Sequence, residues 1–319
     1  MTLSLPKKMV IAEVGPRDGL QSFPRWIDTD TKVAIIDRLS DLGFPVIEVS
    51  SFAHPKVVPH LHDAEEVFER IRRRTGTVYR ALVPNARGAE RGARARVDEM
   101  LGLITISTTY TRKNQNMTID EAIAQNLESF RIAEASSTPF VMALGMAFWC
   151  AYEGQIPEEN VIAVVRRLHE GGIRRFYLAG SLGMEDPAHV NRLFRRLGEL
   201  FPTASFGFHI HNLSGMATAN ILAALDANVT WLESAICGIG GGIAMPAKLG
   251  SLGNFPTEDL VIMLAEMGIE TGIDPELVVA LSREIATILS IDPQSHRGNG
   301  ATRKAVSELA ITNPNMRYS

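Results

Sequence analysis

Cysteine is almost absent from this chain: Cys150 and Cys237 are the only two among 319 residues. So low a count excludes a disulfide framework and a CxxC-type zinc module, and it fits a reducing, cytoplasmic setting. Long hydrophobic runs are missing as well. The longest, residues 141–152, contains a glycine and falls well short of the roughly 20 apolar residues needed to span a bilayer. Near the N-terminus, the apolar stretch after Lys7 and Lys8 ends at Glu13, Arg17 and Asp18, too soon for a signal-peptide core, so nothing there directs export. Nor does charge of one sign dominate. Against 36 acidic residues stand 32 basic ones, for a net charge of −4, which gives no electrostatic reason to expect nucleic acid or an anionic membrane as partner. The expectation is a soluble cytoplasmic protein acting on a small molecule, with no nucleic-acid or membrane partner and with a homo-oligomer as its assembly.

What the chain does have is apolar bulk, 45% of its residues, enough to bury a substantial core. Short strand-like runs at 9–14, 46–50, 78–83, 101–107, 140–146, 175–179, 205–209 and 230–235 alternate with amphipathic stretches, the signature of parallel βα units. Residues 29–42 put Val33, Ile36 and Leu39 on one helical face, and residues 214–228 do the same with Ala217, Ile221, Ala224 and Leu225. Asp30, Thr118 with Glu121, and Thr257 before Glu258 and Asp259 read as helix starts. Eight such units in roughly 270 residues match a closed (β/α)8 TIM barrel better than a doubly wound open sheet. The expected α/β fold is therefore a barrel over residues 1–272. Residues 273–319, with a helix over 275–289 and a glycine-bearing turn at 297–300, read as a C-terminal helical extension rather than an independent domain.

In a parallel barrel, catalytic groups sit at the C-terminal ends of the strands and in the loops that follow. The first strand runs into Gly15-Pro16-Arg17-Asp18-Gly19-Leu20-Gln21, where an Arg-Asp pair is either a loop salt bridge or a functional pair. The seventh ends in Phe208-His209-Ile210-His211-Asn212. Histidines at i and i+2 of a strand project to the same side and can share one metal ion, while Ile210 turns the other way. After the eighth strand, Cys237-Gly238-Ile239-Gly240-Gly241-Gly242 suits a mobile lid or a plain flexible connector. Gly253-Asn254 follows, and the Asn254 amide oxygen either reaches the same mouth or serves a turn. Together Asp18, His209, His211 and Asn254 make a mixed N/O donor set that suits Mg²⁺, Mn²⁺ or Zn²⁺ rather than soft copper or iron–sulfur chemistry. Glu48, near the end of strand two, is placed to hold Arg17 or to form an ordinary structural ion pair.

These motifs, with Ile47-Glu48, Ser51-Phe52, Pro55-Lys56, Ala219 through Leu225 and the segment Thr257-Glu258-Asp259-Leu260-Val261, resemble those of hydroxymethylglutaryl-CoA lyase, in the same order along the chain from about Val10 to Gly272. The resemblance implies a metal-dependent lyase that cleaves a 3-hydroxy-3-methyl acyl-CoA into acetyl-CoA and a keto acid. It assigns the divalent metal, Mg²⁺ or Mn²⁺ before Zn²⁺, to Asp18, His209, His211 and Asn254. It gives Arg17 the task of steadying the enolate oxygen, a charge that develops only along the reaction path. It also puts Lys56 and the segment Thr111-Arg112-Lys113-Asn114 near the phosphates of a CoA thioester, although a solvated basic loop would read the same way.

Three departures qualify the resemblance. The family's lid pattern GLGGCP carries a cysteine thought to protonate the enolate, whereas this chain reads Gly240-Gly241-Gly242-Ile243-Ala244-Met245-Pro246 and has a longer loop before Gly253. The family's strand six ends in a GDT-like motif, replaced here by Ala179-Gly180-Ser181, and its HxHD becomes His209-Ile210-His211-Asn212. Losing a general acid or base costs about 10² to 10⁴ in rate. The sequence thus predicts a divalent-metal-dependent carbon–carbon lyase acting on a 3-hydroxy acyl-CoA or related hydroxy acid other than hydroxymethylglutaryl-CoA, citramalyl-CoA being one variant. The alternatives are hydroxymethylglutaryl-CoA cleavage with a substituted donor, or a catalytically silent acyl-CoA-binding descendant. Cys237, Ser181 and water are the candidate replacement donors, with packing at the strand end as the other reading of Cys237.

Overall fold

Strands and helices alternate along the chain as the apolar runs require, in a computed structural model that describes residues 3–241 and 253–312. Eight parallel strands pair in sequence order and close on themselves: β1 (Val10–Glu13), β2 (Val46–Ser51), β3 (Val78–Leu82), β4 (Glu99–Thr105), β5 (Phe140–Gly145), β6 (Arg175–Gly180), β7 (Ser205–Ile210) and β8 (Trp231–Ser234). This is the (β/α)8 barrel expected. Around it lie α1 (Thr29–Asp41), α2 (Ala64–Arg70), α3 (Ala86–Arg94), α4 (Thr108–Gln115), α5 (Ile119–Ala135), α6 (Glu158–Glu170), α7 (Pro187–Leu200), α8 (Ala217–Asp226), α9 (Thr257–Glu266) and α10 (Pro275–Leu289). The chain continues through a single turn, His296–Asn299, and α11 (Arg303–Thr312). Among the described residues no helix is long and apolar enough to cross a membrane.

Alternation along each strand divides the core in two. Ala12, Val46, Leu82, Leu101, Val141, Ala143, Tyr177, Ala179 and Trp231 point inward and form one apolar cluster, while Ile11, Ile47, Tyr79, Ile104, Leu178, Phe208 and Ile210 face the helices. Stepping two residues from these inward positions lands on charge: Glu48, Arg80, Glu99 and Glu233 are all buried. Arg80 donates from Nε to Glu99 Oε1 at 2.7 Å and from Nη1 to Glu233 Oε1 at 2.6 Å, and the Trp231 indole donates to the same Glu233 oxygen at 3.0 Å. Arg175 also pairs with Glu99. A closed barrel admits these charges because each finds a partner of opposite sign.

Several boundaries differ from expectation for local reasons. Strand β4 stops before residue 107 because Ser107 caps α4, its side chain accepting from the Tyr110 amide. The cap of α1 is Asp28, which accepts from the Thr31 amide, and Asp30 falls in the first turn. Thr118 and Glu121 do form a capping box, whereas Thr257 is the first residue of α9, after Pro256. The apolar run after β5 turns back as a two-residue hairpin, Trp149–Cys150 against Gly154–Gln155. Helix α10 buries Val278, Leu281, Ile285 and Leu289 in the same apolar cluster as the barrel helices.

At Gly207 a Cβ would lie 2.1 Å from the Trp231 indole, which fills the barrel at this level. Gly207→Val is expected to lower stability by about 1–3 kcal/mol through overpacking, measured as an earlier midpoint in urea unfolding followed by tryptophan fluorescence.

Candidate metal centre and active site

Strand β1 delivers the chain into a single π-helical turn, Gly15–Gly19, whose Asp18 and Gly19 amides both reach back to the Val14 carbonyl. The turn holds Arg17 and Asp18 buried over the barrel mouth. Arg17 donates from Nε to Glu48 Oε1 and from Nη1 to Asp18 Oδ1 at 2.8 Å, so its guanidinium is clamped between two carboxylates. Burial opposes its charge, but Glu48 and Asp18 keep it protonated. Arg17 lines the cavity, and its planar fork suits a ligand oxygen there.

On β7, His209 and His211 project together as the alternation demands, their Nε2 atoms 3.1 Å apart, and Ile210 packs outward. His209 Nδ1 lies 3.3 Å from Glu233 Oε2, which holds this nitrogen as the N–H and turns Nε2 toward Asp18. Tyr177 stacks on the same ring with centroids 5.7 Å apart. Asn254 donates from Nδ2 to Asp18 Oδ2 at 2.8 Å and to the Ile239 carbonyl at 2.9 Å, and its Oδ1 is buried with no partner among the described residues. Burial would raise the Asp18 carboxyl, yet Arg17, the two histidines and the Asn254 amide outweigh it and hold it below the usual range. For His209, burial disfavours the protonated ring but Glu233 and Asp18 favour it more, so its pKa lies above the ordinary imidazole value.

Asp18, His209 and His211 offer ligand atoms all within 4.8 Å of one another, the only such group of three or more among the described residues. With the orphaned Asn254 oxygen beside them, two imidazole nitrogens and two oxygens fit a hard or borderline divalent cation. Asp18, His209 and His211, with Arg17, line a cavity of about 220 Å³. Its lining also includes Leu82, Leu103, Ala143, Met146 and Ala179, together with Tyr110, Gln115 and Val57.

The chain is similar to known proteins over most of its length. The family model "HMGL-like" matches residues 8–285. The chain belongs to the HMGL-like family. It is 37% identical over 280 residues to a hydroxymethylglutaryl-CoA lyase of Bacillus subtilis, covering 88% of this chain and 93% of that one. The mouse mitochondrial hydroxymethylglutaryl-CoA lyase is 35% identical over 271 residues, 85% of this chain and 82% of that protein. A solved HMG-CoA lyase of Acinetobacter baumannii, in complex with coenzyme A and 3-methylmalate, superposes with a TM-score of 0.88 at 35% identity, covering 95% of this chain and 98% of that one. Within this family the chain is a metal-dependent carbon–carbon lyase acting on a small molecule.

Not every expected residue reaches the site. Cys237 does not: its Sγ donates to the Ser282 carbonyl at 3.2 Å on α10, its amide binds Glu258, and burial pushes the thiol up to about 12. Of the two readings the sequence leaves for it, candidate replacement donor or packing at the strand end, its contacts are those of the second: the chain turns through φ 60° there and the thiol meets α10. Lys56, Arg112 and Lys113 are exposed and do not line the cavity, although their neighbours Val57, Tyr110 and Gln115 do; Lys113 lies 5.1 Å from the Tyr152 ring. The Asn114 side chain, and the lid from Gly242 onward with its missing cysteine, lie outside the described residues. Conversely, Glu233 and Tyr177 escaped notice in the sequence, though each sits at an inward position of an apolar strand, where a polar side chain demands a reason.

Glu233→Gln is expected to weaken Mn²⁺ binding roughly 10- to 100-fold by releasing His209, as read by titration of free Mn²⁺. Cys237→Ser is expected to leave Mn²⁺ binding and turnover unchanged, and the wild-type thiol should resist labelling until the protein is unfolded.

Proposed function

We propose that the enzyme cleaves the C2–C3 bond of a 3-hydroxy acyl-CoA whose acyl group differs from hydroxymethylglutaryl. The observation that carries the reading is the Asp18–His209–His211 cluster with Arg17 clamped beside it in one cavity. Asp18, His209, His211 and Asn254 would hold Mg²⁺ or Mn²⁺, which acidifies a substrate hydroxyl that it chelates. In the reaction the 3-hydroxyl loses its proton and becomes the carbonyl of the keto acid. The C2–C3 electron pair passes into the thioester as an enolate, which takes up a proton to give acetyl-CoA. Arg17, fixed by Glu48, meets the developing enolate oxygen with N–H groups that need no rearrangement. With the Cys237 thiol turned away, Ser181 is the candidate for passing on the proton. It lines the cavity, and its Oγ accepts from the Met146 amide at 2.9 Å, which leaves its own O–H free to donate. Lys56, Arg112 and Lys113 flank the mouth, where CoA phosphates would meet cations.

The residues at 180 and 237 support an altered acyl group, because neither supplies a catalytic side chain to this cavity. A second reading, hydroxymethylglutaryl-CoA itself, is favoured by the relatives named above. Incubation of the full chain with Mn²⁺ and a panel of 3-hydroxy acyl-CoAs, including citramalyl-CoA, separates the two. The proposal expects acetyl-CoA and a keto acid to form faster from another member of the panel than from hydroxymethylglutaryl-CoA. The opposite order supports the second reading, and no cleavage of any member overturns the lyase reading. Ser181→Ala is expected to slow turnover with little change in Mn²⁺ binding.

A further inference from the structure

The end of β6 holds a carboxylate that neither the motifs nor the reaction above uses. Gly180 has no side chain, and a Cβ built on it would lie 2.1 Å from Glu185 Oε1 and 2.9 Å from Oε2. The space beside Gly180 is therefore filled by an acidic group reaching back from the following loop. Glu185 is fully buried, and neither of its oxygens meets a partner at normal hydrogen-bond geometry. An unpaired buried carboxylate costs several kcal/mol unless something compensates its charge. Among the described residues it makes no ion pair, whereas Glu48 has Arg17 and Glu233 has Arg80.

Its position is fixed from both sides. Its own carbonyl accepts from Asn220 Nδ2 at 2.9 Å on α8, and Asp186, the next residue, caps α7 through the His189 amide. At the other end of the loop, Gly183 lies so close to the backbone just after His211 that a Cβ would come within 2.6 Å of it, and its carbonyl accepts from the Ser214 amide. The loop is thus fastened to the segment that bears His211, and β6 pairs with β7 at Ala179 and His209. Burial pushes the Glu185 carboxyl up to about 7, against the pull of the Glu185 and Met184 amides and of His209.

We propose that Glu185 is a positioning carboxylate for the metal centre: from the loop it fills the place left open at Gly180 and supplies the counter-charge that helps hold the divalent cation at Asp18, His209 and His211. It touches neither substrate nor cation and acts through the field at the β6–β7 end. The inference rests on the metal-dependent reading of the site. It recasts the missing strand-six carboxylate as one moved along the chain.

The test is Mn²⁺ binding by the full-length protein, read as free Mn²⁺ by electron paramagnetic resonance and paired with melting of the metal-free form. Glu185→Gln is expected to weaken Mn²⁺ roughly tenfold or more while the metal-free protein melts at an equal or higher temperature. A carboxylate kept only for structure predicts the reverse pair, unchanged Mn²⁺ affinity and a lower melting temperature, and that result overturns the inference. In the double variant Gly180→Asp with Glu185→Gly, the acid returns to the strand and much of the lost affinity should return with it. Affinity no better than that of Glu185→Gly alone also overturns the inference. If wild-type protein binds no Mn²⁺, the metal-dependent reading itself fails, and that outcome is distinct from both.

Discussion

The structure depends on one constraint: charge that must work at the mouth of a closed barrel has to be neutralised inside it. A column of ionic pairs meets that requirement. Glu99 pairs with Arg80, Arg80 reaches Glu233, and Glu233 meets His209, so the imidazole at the mouth is held from below. Beside it Glu48 holds Arg17, and Arg17 holds Asp18. Removing one partner would leave its neighbours buried with one compensating charge fewer, which costs more than the pair contributes. The column therefore orients the candidate metal ligands and Arg17 at once, before any ligand arrives.

Such preorganisation suits an enolate-forming cleavage. The charge to be stabilised appears only during the reaction, and donors already in place lose nothing to reorganisation. The cavity is lined both by charged and imidazole groups, Arg17, Asp18, His209 and His211, and by apolar ones, Leu82, Leu103, Ala143 and Ala179.

Much of this was legible in the sequence. The eight strands follow from short apolar runs, and the shared direction of His209 and His211 follows from the two-residue period of a strand. The Arg17–Glu48 contact was one of two readings open for Glu48, and the structure shows it, with Glu48 inside β2 rather than at its end. What local pattern does not convey is where a side chain goes after the backbone turns. Cys237 stands beside the glycine-rich loop in sequence, yet a left-handed φ sends its thiol to Ser282. Glu185 lies in an ordinary loop in sequence, yet the chain folds it back onto Gly180. The column inside the barrel was visible only as isolated charges in apolar strands, because its pairings join residues as far apart as Arg80 and Glu233.

The central claim is that the two imidazoles at the end of β7 and the carboxylate that follows β1 hold one divalent cation. Pulsed electron paramagnetic resonance of the Mn²⁺-loaded full chain tests it most directly, by counting nitrogens coupled to the metal. The account predicts two histidine nitrogens in the wild type and one in either His209→Ala or His211→Ala. A Mn²⁺ signal without nitrogen coupling, or one unchanged by both substitutions, would contradict it.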